Sequence, residues 1–262
     1  MRTAATRPSA RPAAALLPTV LSLALVAAVW EAWIALAGTP VYLLPAPSAV
    51  ALRVGAEPGY FLGQGAITLA EALGGFLLGT GVALAAATLM AHSLALERAL
   101  LPLAVLVKVT PIVAVAPLFV IWFGFGVVPK VLIAALITFF PALVNGVTGL
   151  RAVNPGALDF LRSVSASRRE VFLTLRVPSA MPYLFAAFRV SIPLSVIGAV
   201  VGEWFSADRG LGAVIIVAHA NLDTPTLFGA ISTLAVMGIG LSLAVSALER
   251  RILFWHESTL IV

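Results

Sequence analysis

The sequence contains no cysteine, which excludes disulfides, thiolate nucleophiles and cysteine-ligated metals. Its three histidines, His92, His219 and His256, are far apart and share no metal-ligand spacing, so metal catalysis is not expected. A phosphate-binding sequence of the form G-x-x-x-x-G-K-[ST] is also missing. The chain therefore cannot hold ATP by that route.

Charged residues are scarce as well. They make up 10% of the chain, against 61% hydrophobic residues and a mean hydropathy of +1.09. This composition is typical of an integral membrane protein. The net charge of +5 would also suit a nucleic-acid partner, but excess arginine in a membrane protein marks its cytoplasmic loops. We expect membrane lipid around this chain and no nucleic acid.

Apolar runs long enough to cross a bilayer, about 20 residues each, predict an all-α membrane protein with six spans. The predicted spans cover residues 16–37, 66–91, 99–123, 131–150, 183–205 and 226–248. A shorter apolar run over 211–220 predicts an interfacial or re-entrant helix.

The distribution of lysine and arginine favours cytoplasmic N- and C-termini. The inside would then carry Arg2, Arg7, Arg11, Arg98, Arg151, Arg162, Arg168, Arg169, Arg176, Arg250 and Arg251. The outside would carry Arg53, Lys130 and Arg209.

A single transmembrane domain is expected over residues 16–256, between a mobile basic tail at 1–15 and a short tail at 257–262. The first span follows arginines, as a secretory signal does. It is long for a signal, however, and Trp30, Glu31 and Trp33 stand where small cleavage-site residues would be needed. We expect it to be retained.

A polar, arginine-rich segment over residues 151–182 interrupts the apolar sequence and must lie in water. Pro155 can open a short helix, and Ser167 with Glu170 has the spacing of a capping box that opens a second. The second helix should end at Pro178. Two short helices on the membrane surface indicate a docking element.

This segment resembles the coupling motif of permease subunits of ATP-binding-cassette importers, in the nitrate, taurine, sulfonate and pyrimidine-precursor branch. Asp159 takes the acidic position of that motif, Ser165 its glycine position, and Pro178 and Pro182 its Pro-x-x-x-Pro. The family's Glu-Ala-Ala opening is Asp159-Phe160-Leu161 here. Other similar runs are Thr110-Pro111, Ala116-Pro117-Leu118, Phe123-Gly124-Phe125-Gly126, Phe139-Phe140-Pro141, Gly149-Leu150-Arg151, Gly202-Glu203 and Arg209-Gly210-Leu211-Gly212.

The resemblance implies a type I importer permease in the bacterial cytoplasmic (inner) membrane, paired as a homodimer. It implies a separate ATPase subunit that binds ATP and magnesium, an extracytoplasmic substrate-binding protein, no cofactor on this chain and no catalysis by it. The ATPase-coupling residues would be Asp159, Arg162, Val164, Ser165, Ala166, Ser167, Arg168, Val171, Phe172 and Pro178. In this interpretation Val164, Val171, Phe172 and Leu175 enter a groove of the ATPase. The alternative is an amphipathic hairpin that lies on anionic lipid.

Polar groups inside the spans are candidates for the translocation pathway. So are Pro111, Pro117 and Pro193, which are expected to interrupt the third and fifth spans and to place these helices around the pathway. Lys108 falls near the middle of the third span and either lines the pathway or pairs with Glu71 or Glu203. Glu203 either gates the outer mouth or forms interfacial hydrogen bonds, and Arg189 is expected to snorkel. The candidate pathway residues are Lys108, Pro111, Pro117, Pro193 and Glu203.

Small residues and aromatics have simpler interpretations. Gly75-x-x-x-Gly79 and Gly198-x-x-x-Gly202 predict close helix packing. Trp122, Phe123 and Phe125 are typical of an aromatic belt. Two other functions compete with the importer permease, namely a self-contained secondary transporter and a membrane scaffold. The polar segment has no counterpart elsewhere in the chain, which disfavours the secondary transporter. The resemblance leaves the substrate open among nitrate, sulfonate or taurine-like compounds and thiamine-pyrimidine or riboflavin-type nutrients.

Overall fold

The computed structural model describes residues 12–206 and 208–254, with side chains from Leu17 onward. The described residues form helices α1 Pro12–Ala37, α2 Pro47–Ala56, α3 Pro58–His92, α4 Leu94–Val109, α5 Ile112–Phe123, α6 Val127–Arg151, α7 Pro155–Ser163, α8 Arg168–Val171, a π-helical turn Phe172–Arg176, α9 Val177–Ser206, α10 Leu211–Ala220 and α11 Thr224–Ile252. The predicted all-α class is confirmed. Because α1 begins at Pro12, residues 12–15 of the predicted tail are helical, whereas 1–11, 257–262 and His256 lie outside the described residues.

Five helices are long and apolar enough to cross a membrane, and a sixth crossing exists if the bent pair α4 and α5 counts as one span. The six predicted spans correspond to α1, α3, this pair, α6, α9 and α11. The short apolar helix is α10, and its N-terminal half is buried. The sequence pattern therefore located each membrane element, although most helices extend beyond the predicted bounds.

The third predicted span is broken at Thr110 and Pro111, where α4 and α5 meet at 98°. Pro111 forces the residue before it out of the helical region, and Thr110 has φ −70° and ψ 124°. The Thr110 hydroxyl donates to the Leu106 carbonyl at 2.8 Å and so satisfies one carbonyl at the end of α4. Pro111 thus interrupts its span as predicted.

The other prolines behave differently. Pro117 and Pro193 lie inside continuous helices α5 and α9, so the prediction that they interrupt spans is wrong. A proline in a packed span removes one backbone hydrogen bond, and neighbouring helices can hold the helix together around it. Pro178 does not end a helix either. The chain stays helical from Arg168 to Ser206 because a π-helical turn lies just before Pro178.

Helices α3, α6 and α9 form the centre of the structure and approach each other through glycine. A Cβ atom on Gly75 of α3 would lie 2.3 Å from the Ala134 Cβ of α6. One on Gly198 of α9 would lie 2.5 Å from the Ala134 Cα. The backbones can reach this separation only where no side chain intervenes, so the predicted packing role of both glycine pairs is confirmed.

We expect Gly75→Ala to lower thermal stability, because its methyl group cannot fit against Ala134 and overpacking costs about 1–3 kcal/mol. Gly81→Ala on the same helix is the matched control, since nothing lies within 4 Å of its Cβ position. Melting temperatures of the purified variants in one detergent test this. Equal melting temperatures would contradict the close α3–α6 approach.

Candidate functional site

The polar segment begins with α7, whose N-terminus is capped by a residue that the sequence analysis did not identify. The Asn154 side chain accepts hydrogen bonds from the backbone N–H groups of Gly156 at 2.8 Å and Ala157 at 3.3 Å. Pro155 occupies the first turn, as predicted. Asn is among the best N-cap residues, so the Asn-Pro pair was a readable signal. Asp159 and Arg162 form an exposed pair at 3.3 Å, which contributes little to stability.

The turn after α7 is a Schellman motif. The Ser165 N–H donates to the Arg162 carbonyl at 3.0 Å, and the Ala166 N–H donates to the Leu161 carbonyl at 2.9 Å. Ser165 has φ +59°, the left-handed conformation that glycine adopts most easily. The structure therefore explains why the related motif has glycine here, and it shows that this chain forms the same kind of turn with serine.

The second helix of the segment starts with the predicted capping box. The Ser167 hydroxyl accepts from the Glu170 N–H at 3.2 Å, and the Glu170 carboxylate accepts from the Ser167 N–H at 2.7 Å. The prediction of this cap is confirmed. Because the chain then runs through the π-helical turn into α9, any force on this helix acts directly on a central membrane helix.

The apolar face that the segment presents outward differs from the predicted one. Phe172 is half-buried and packs inward, with its ring centroid 5.4 Å from that of His92. Val171 and Leu175 are half-buried as well. Phe172 packs against the core because its helix is continuous with α9, and its predicted contact with a partner stays a prediction.

The exposed apolar side chains of the segment are Phe160, 66% exposed, Val164, 58% exposed, and Leu173, 52% exposed. Val164 was predicted, whereas Phe160 and Leu173 were not. Helical periodicity alone assigned the apolar side chains of the segment to the partner and could not show which of them face the membrane core.

An intramembrane cavity of about 390 Å³ opens beside the break between α4 and α5. It is lined by Lys108 and Thr110 at the break, by Phe140 and Pro141 of α6, and by aliphatic side chains of α4, α5, α6 and α9. The Lys108 ammonium lies 4.7 Å from the centroid of the Phe140 ring. Such a position over a ring face is a cation–π contact.

The remaining candidate pathway residues lie at different distances from this cavity. Pro111 forms the break and is flanked by the lining residues Thr110 and Ile112, and Pro193 precedes the lining residue Leu194. Pro117 lies one turn further along α5 and does not line it.

A second lysine, Lys130, was assigned to the outer loop and is instead 1% exposed inside α6. Its ammonium lies 3.1 Å from the Glu71 carboxylate and 2.8 Å from that of Asp208, and it donates to the Arg209 carbonyl at 3.2 Å. The proposed pairing of Lys108 with Glu71 is therefore wrong, since Lys130 occupies that place. α6 begins at Val127, four residues before the predicted start of its span, which draws Lys130 into the helix.

Glu203 is completely buried and anchors the start of α10. Its carboxylate accepts from the Thr68 hydroxyl at 2.7 Å and from the Gly212 N–H at 2.5 Å. The Thr68 hydroxyl in turn accepts from the Leu211 N–H at 2.9 Å. Glu203 thus satisfies free N–H groups at a helix N-terminus, where negative charge is favourable. Glu203 does not line the cavity, and its contacts are the hydrogen bonds of the second interpretation, so a pathway role for Glu203 stays a prediction.

Asp208, which follows α9, has a pKa below its ordinary value. Partial burial acts to raise the pKa, but the hydrogen bond and the charge of Lys130, together with backbone hydrogen bonds at Asp208 and Arg209, outweigh this effect. A carboxyl with a depressed folded-state pKa stabilises the fold above its ordinary pKa, and this contribution is lost as pH falls through the folded value. The Lys130–Asp208 pair therefore persists throughout the neutral range.

Arg189, expected to snorkel, has a partner. Its guanidinium lies 2.6 Å from the buried Glu249 carboxylate of α11. Arg151 at the end of α6 similarly pairs with Glu97 at 2.5 Å and donates to the Met90 carbonyl at 2.9 Å. These contacts tie α11 to α9 and α4 to α6.

A bundle of membrane-spanning helices with an intramembrane cavity and an exposed helical segment defines a multi-pass membrane transport protein. Residues 75–254 match the family described as "Binding-protein-dependent transport system inner membrane component". The chain belongs to this family and is a permease subunit of an ATP-binding-cassette importer with the type I permease fold. This assignment replaces the secondary-transporter and scaffold interpretations.

Three relatives place the chain in the predicted branch. The riboflavin transport system permease protein RibX of Chloroflexus aurantiacus is 39% identical over 244 residues, covering 92% of this chain and 90% of the relative. The formylaminopyrimidine transport permease protein ThiX of Halalkalibacterium halodurans is 35% identical and covers 93% and 97%. The taurine transport system permease protein TauC of Escherichia coli is 31% identical and covers 59% and 56%.

We expect Lys130→Met to destabilise the fold, because it leaves the buried Glu71 carboxylate without its cation. Breaking a buried ion pair in this way costs about 3–5 kcal/mol. In a chain of this size that loss lowers the melting temperature by roughly 10 °C. The double change Lys130→Met with Glu71→Gln should recover part of it.

Lys108→Met is the matched control, because Lys108 has no carboxylate partner among the described residues. Its melting temperature should stay near that of the unchanged protein. If Lys108→Met and Lys130→Met lower the melting temperature equally, the two lysines do not differ in the way the structure describes.

Proposed function

We propose that this chain forms half of the translocation pathway and transmits movement to it from a separate ATPase. The observation that carries the proposal is the exposed segment of α7 and α8, which is continuous through the π-helical turn with α9. α9 packs centrally against α6 and α3 and contributes Leu194 to the cavity wall. A shift of the segment would therefore reach the cavity along one helix.

The docking surface for the ATPase consists of the exposed apolar side chains Phe160, Val164 and Leu173, with charged side chains around them. An apolar knob with a charged rim suits insertion into a groove of a partner, where the charges set orientation. The residues assigned to coupling are Asp159, Phe160, Arg162, Val164, Ser165, Ala166, Ser167, Arg168, Val171 and Leu173. ATP and magnesium are assigned to the ATPase, and this chain holds no cofactor and catalyses no reaction.

The segment lies in the cytoplasm in this proposal, with both termini on the same side and the chain in the bacterial inner membrane. The excess of arginine on that side of the spans supports this orientation. In this orientation the cavity beside Lys108 lies between the cytoplasmic segment and the extracytoplasmic side of the membrane, where the substrate-binding protein docks.

Two copies of the chain would surround one pathway, with a substrate-binding protein outside and lipid around the assembly. The cavity supports this arrangement because it is open on one side, where Ile197 is 54% exposed. A large exposed apolar side chain beside a polar lysine needs a cover other than water. A second permease would close the cavity into a pathway.

The substrate assigned to the transporter is a small organic nutrient of the riboflavin or pyrimidine-precursor kind. The support comes from two relatives that are 39% and 35% identical to this chain and are named for riboflavin and formylaminopyrimidine transport. A permease named for aliphatic sulfonate transport covers 90% of the chain as well, but at 31% identity. The taurine permease matches over a shorter part of the chain.

We expect Val164→Asp to reduce receptor-stimulated ATP hydrolysis and substrate uptake by about tenfold or more, because a buried unpaired carboxylate in the docking groove is unfavourable. Val164 is exposed in the permease alone, so the melting temperature of the permease should not change. Val164→Leu is the matched control and should retain both activities. Proteoliposomes containing permease, ATPase and receptor provide the measurement, and full activity of Val164→Asp would exclude docking through this turn.

A further inference from the structure

We propose that the cavity beside the α4–α5 break is a substrate-contact site for a flat heterocyclic ring that carries hydrogen-bond-accepting oxygens. In this site the ring lies against Phe140 and an oxygen accepts from the Lys108 ammonium. The inference rests on the proposed function of the chain as a transport pathway, and it adds the chemistry by which the pathway recognises its substrate.

Lys108 is placed to bind a ligand, and Lys130 is not. The Lys130 ammonium is buried and its contacts are taken by Glu71, Asp208 and the Arg209 carbonyl. Lys108 is exposed to the cavity, and the ion pairs of the described residues leave it without a carboxylate. A lysine within a membrane span that has no counter-charge marks a substrate or ion pathway.

Phe140 orients the ammonium and offers a flat surface. The Lys108 nitrogen lies 4.7 Å from the ring centroid, so one direction around the nitrogen faces the ring and the others are open. An ammonium has three N–H donors and no acceptor. The cavity therefore presents N–H donors to a ligand beside the Phe140 ring, which lines the same cavity and against which a second ring can pack, stacked or edge-to-face.

The break in the third span creates the space. Because Pro111 turns the chain by 98°, α5 leaves the line of α4 directly after Lys108 and Thr110. The resulting cavity of about 390 Å³ is within the range of small-molecule sites.

The walls select against small zwitterions. Apart from Lys108, the lining is apolar except for Thr110, whose hydroxyl already donates to the Leu106 carbonyl. Leu136, Ile137, Leu194 and Ile197 supply aliphatic surface that suits an extended apolar body. No acidic side chain lines the cavity, so the ammonium group of an aminosulfonate such as taurine would meet only Lys108 and apolar surface. A flat ring with carbonyl oxygens suits the site, because the ring packs against the apolar walls and a carbonyl oxygen accepts from the Lys108 ammonium.

The test is direct binding of riboflavin to the solubilised permease–ATPase complex, measured by quenching of riboflavin fluorescence. Lys108→Met and Phe140→Leu should each weaken binding by about tenfold, because each removes one of the two recognition elements. Phe140→Tyr keeps the aromatic face and should bind within about threefold of the unchanged complex. Taurine should not compete.

Phe76→Leu is the matched control, since Phe76 packs against Phe188 in the bundle and does not line the cavity. It should bind riboflavin as the unchanged complex does. Absence of saturable binding, equal binding by all variants, or competition by taurine would each overturn the proposal. Receptor-stimulated ATP hydrolysis by the same complex is measured in parallel. If that stimulation persists while riboflavin fails to bind at this site, the proposed importer function stands and the substrate-contact site does not.

Discussion

The buried charge of Lys130 is the constraint on which the arrangement of one half of the bundle depends, at the end opposite the polar segment over residues 151–182. An unpaired ammonium inside a membrane protein costs several kcal/mol, so the helices around it must supply carboxylates. Glu71 comes from α3 and Asp208 from the connection between α9 and α10. Because the Lys130 ammonium pairs with both carboxylates, α3, α6 and the connection between α9 and α10 meet at this lysine.

Glu203 extends the same cluster to α10. It directly follows Gly202, which packs against the Lys130 backbone, and it accepts hydrogen bonds from Thr68 and Gly212. The N-terminus of the short helix is thereby fixed to α3 and α9. A ten-residue helix cannot cross a bilayer, and its free N–H groups need buried acceptors. Thr68 and Glu203 supply these acceptors and so hold the start of α10 against the bundle.

The half of the bundle that carries the polar segment over residues 151–182 is organised by helix continuity. This segment is locally determined at each step, with an Asn N-cap, a Schellman turn and a capping box in succession. Beyond the capping box, the π-helical turn connects it to α9 without an end. The second helix of the surface segment and the central helix α9 therefore form one continuous helix from Arg168 to Ser206. The π-helical turn that joins them is of a kind often found at functional sites.

The sequence alone determined which segments enter the membrane, where the surface segment lies and how its helices begin, because hydropathy and capping act over a few neighbouring residues. The same local logic predicted the break at Pro111. It did not distinguish Pro111 from Pro117 and Pro193, since a proline's effect on a packed helix depends on the neighbours that surround it.

Only the tertiary structure decided how the charges pair and which apolar side chains face a partner. The sequence placed Lys108 inside a span and Lys130 in a loop, but Lys130 is buried against Glu71, 59 residues earlier in the chain, whereas Lys108 meets a ring and a cavity. Phe172 and Phe160 are both apolar residues of the surface segment, and only the continuity of α8 with α9 turns Phe172 inward. Ion pairing and burial depend on residues far apart in sequence, and those distances are set only when α3, α6 and α9 pack.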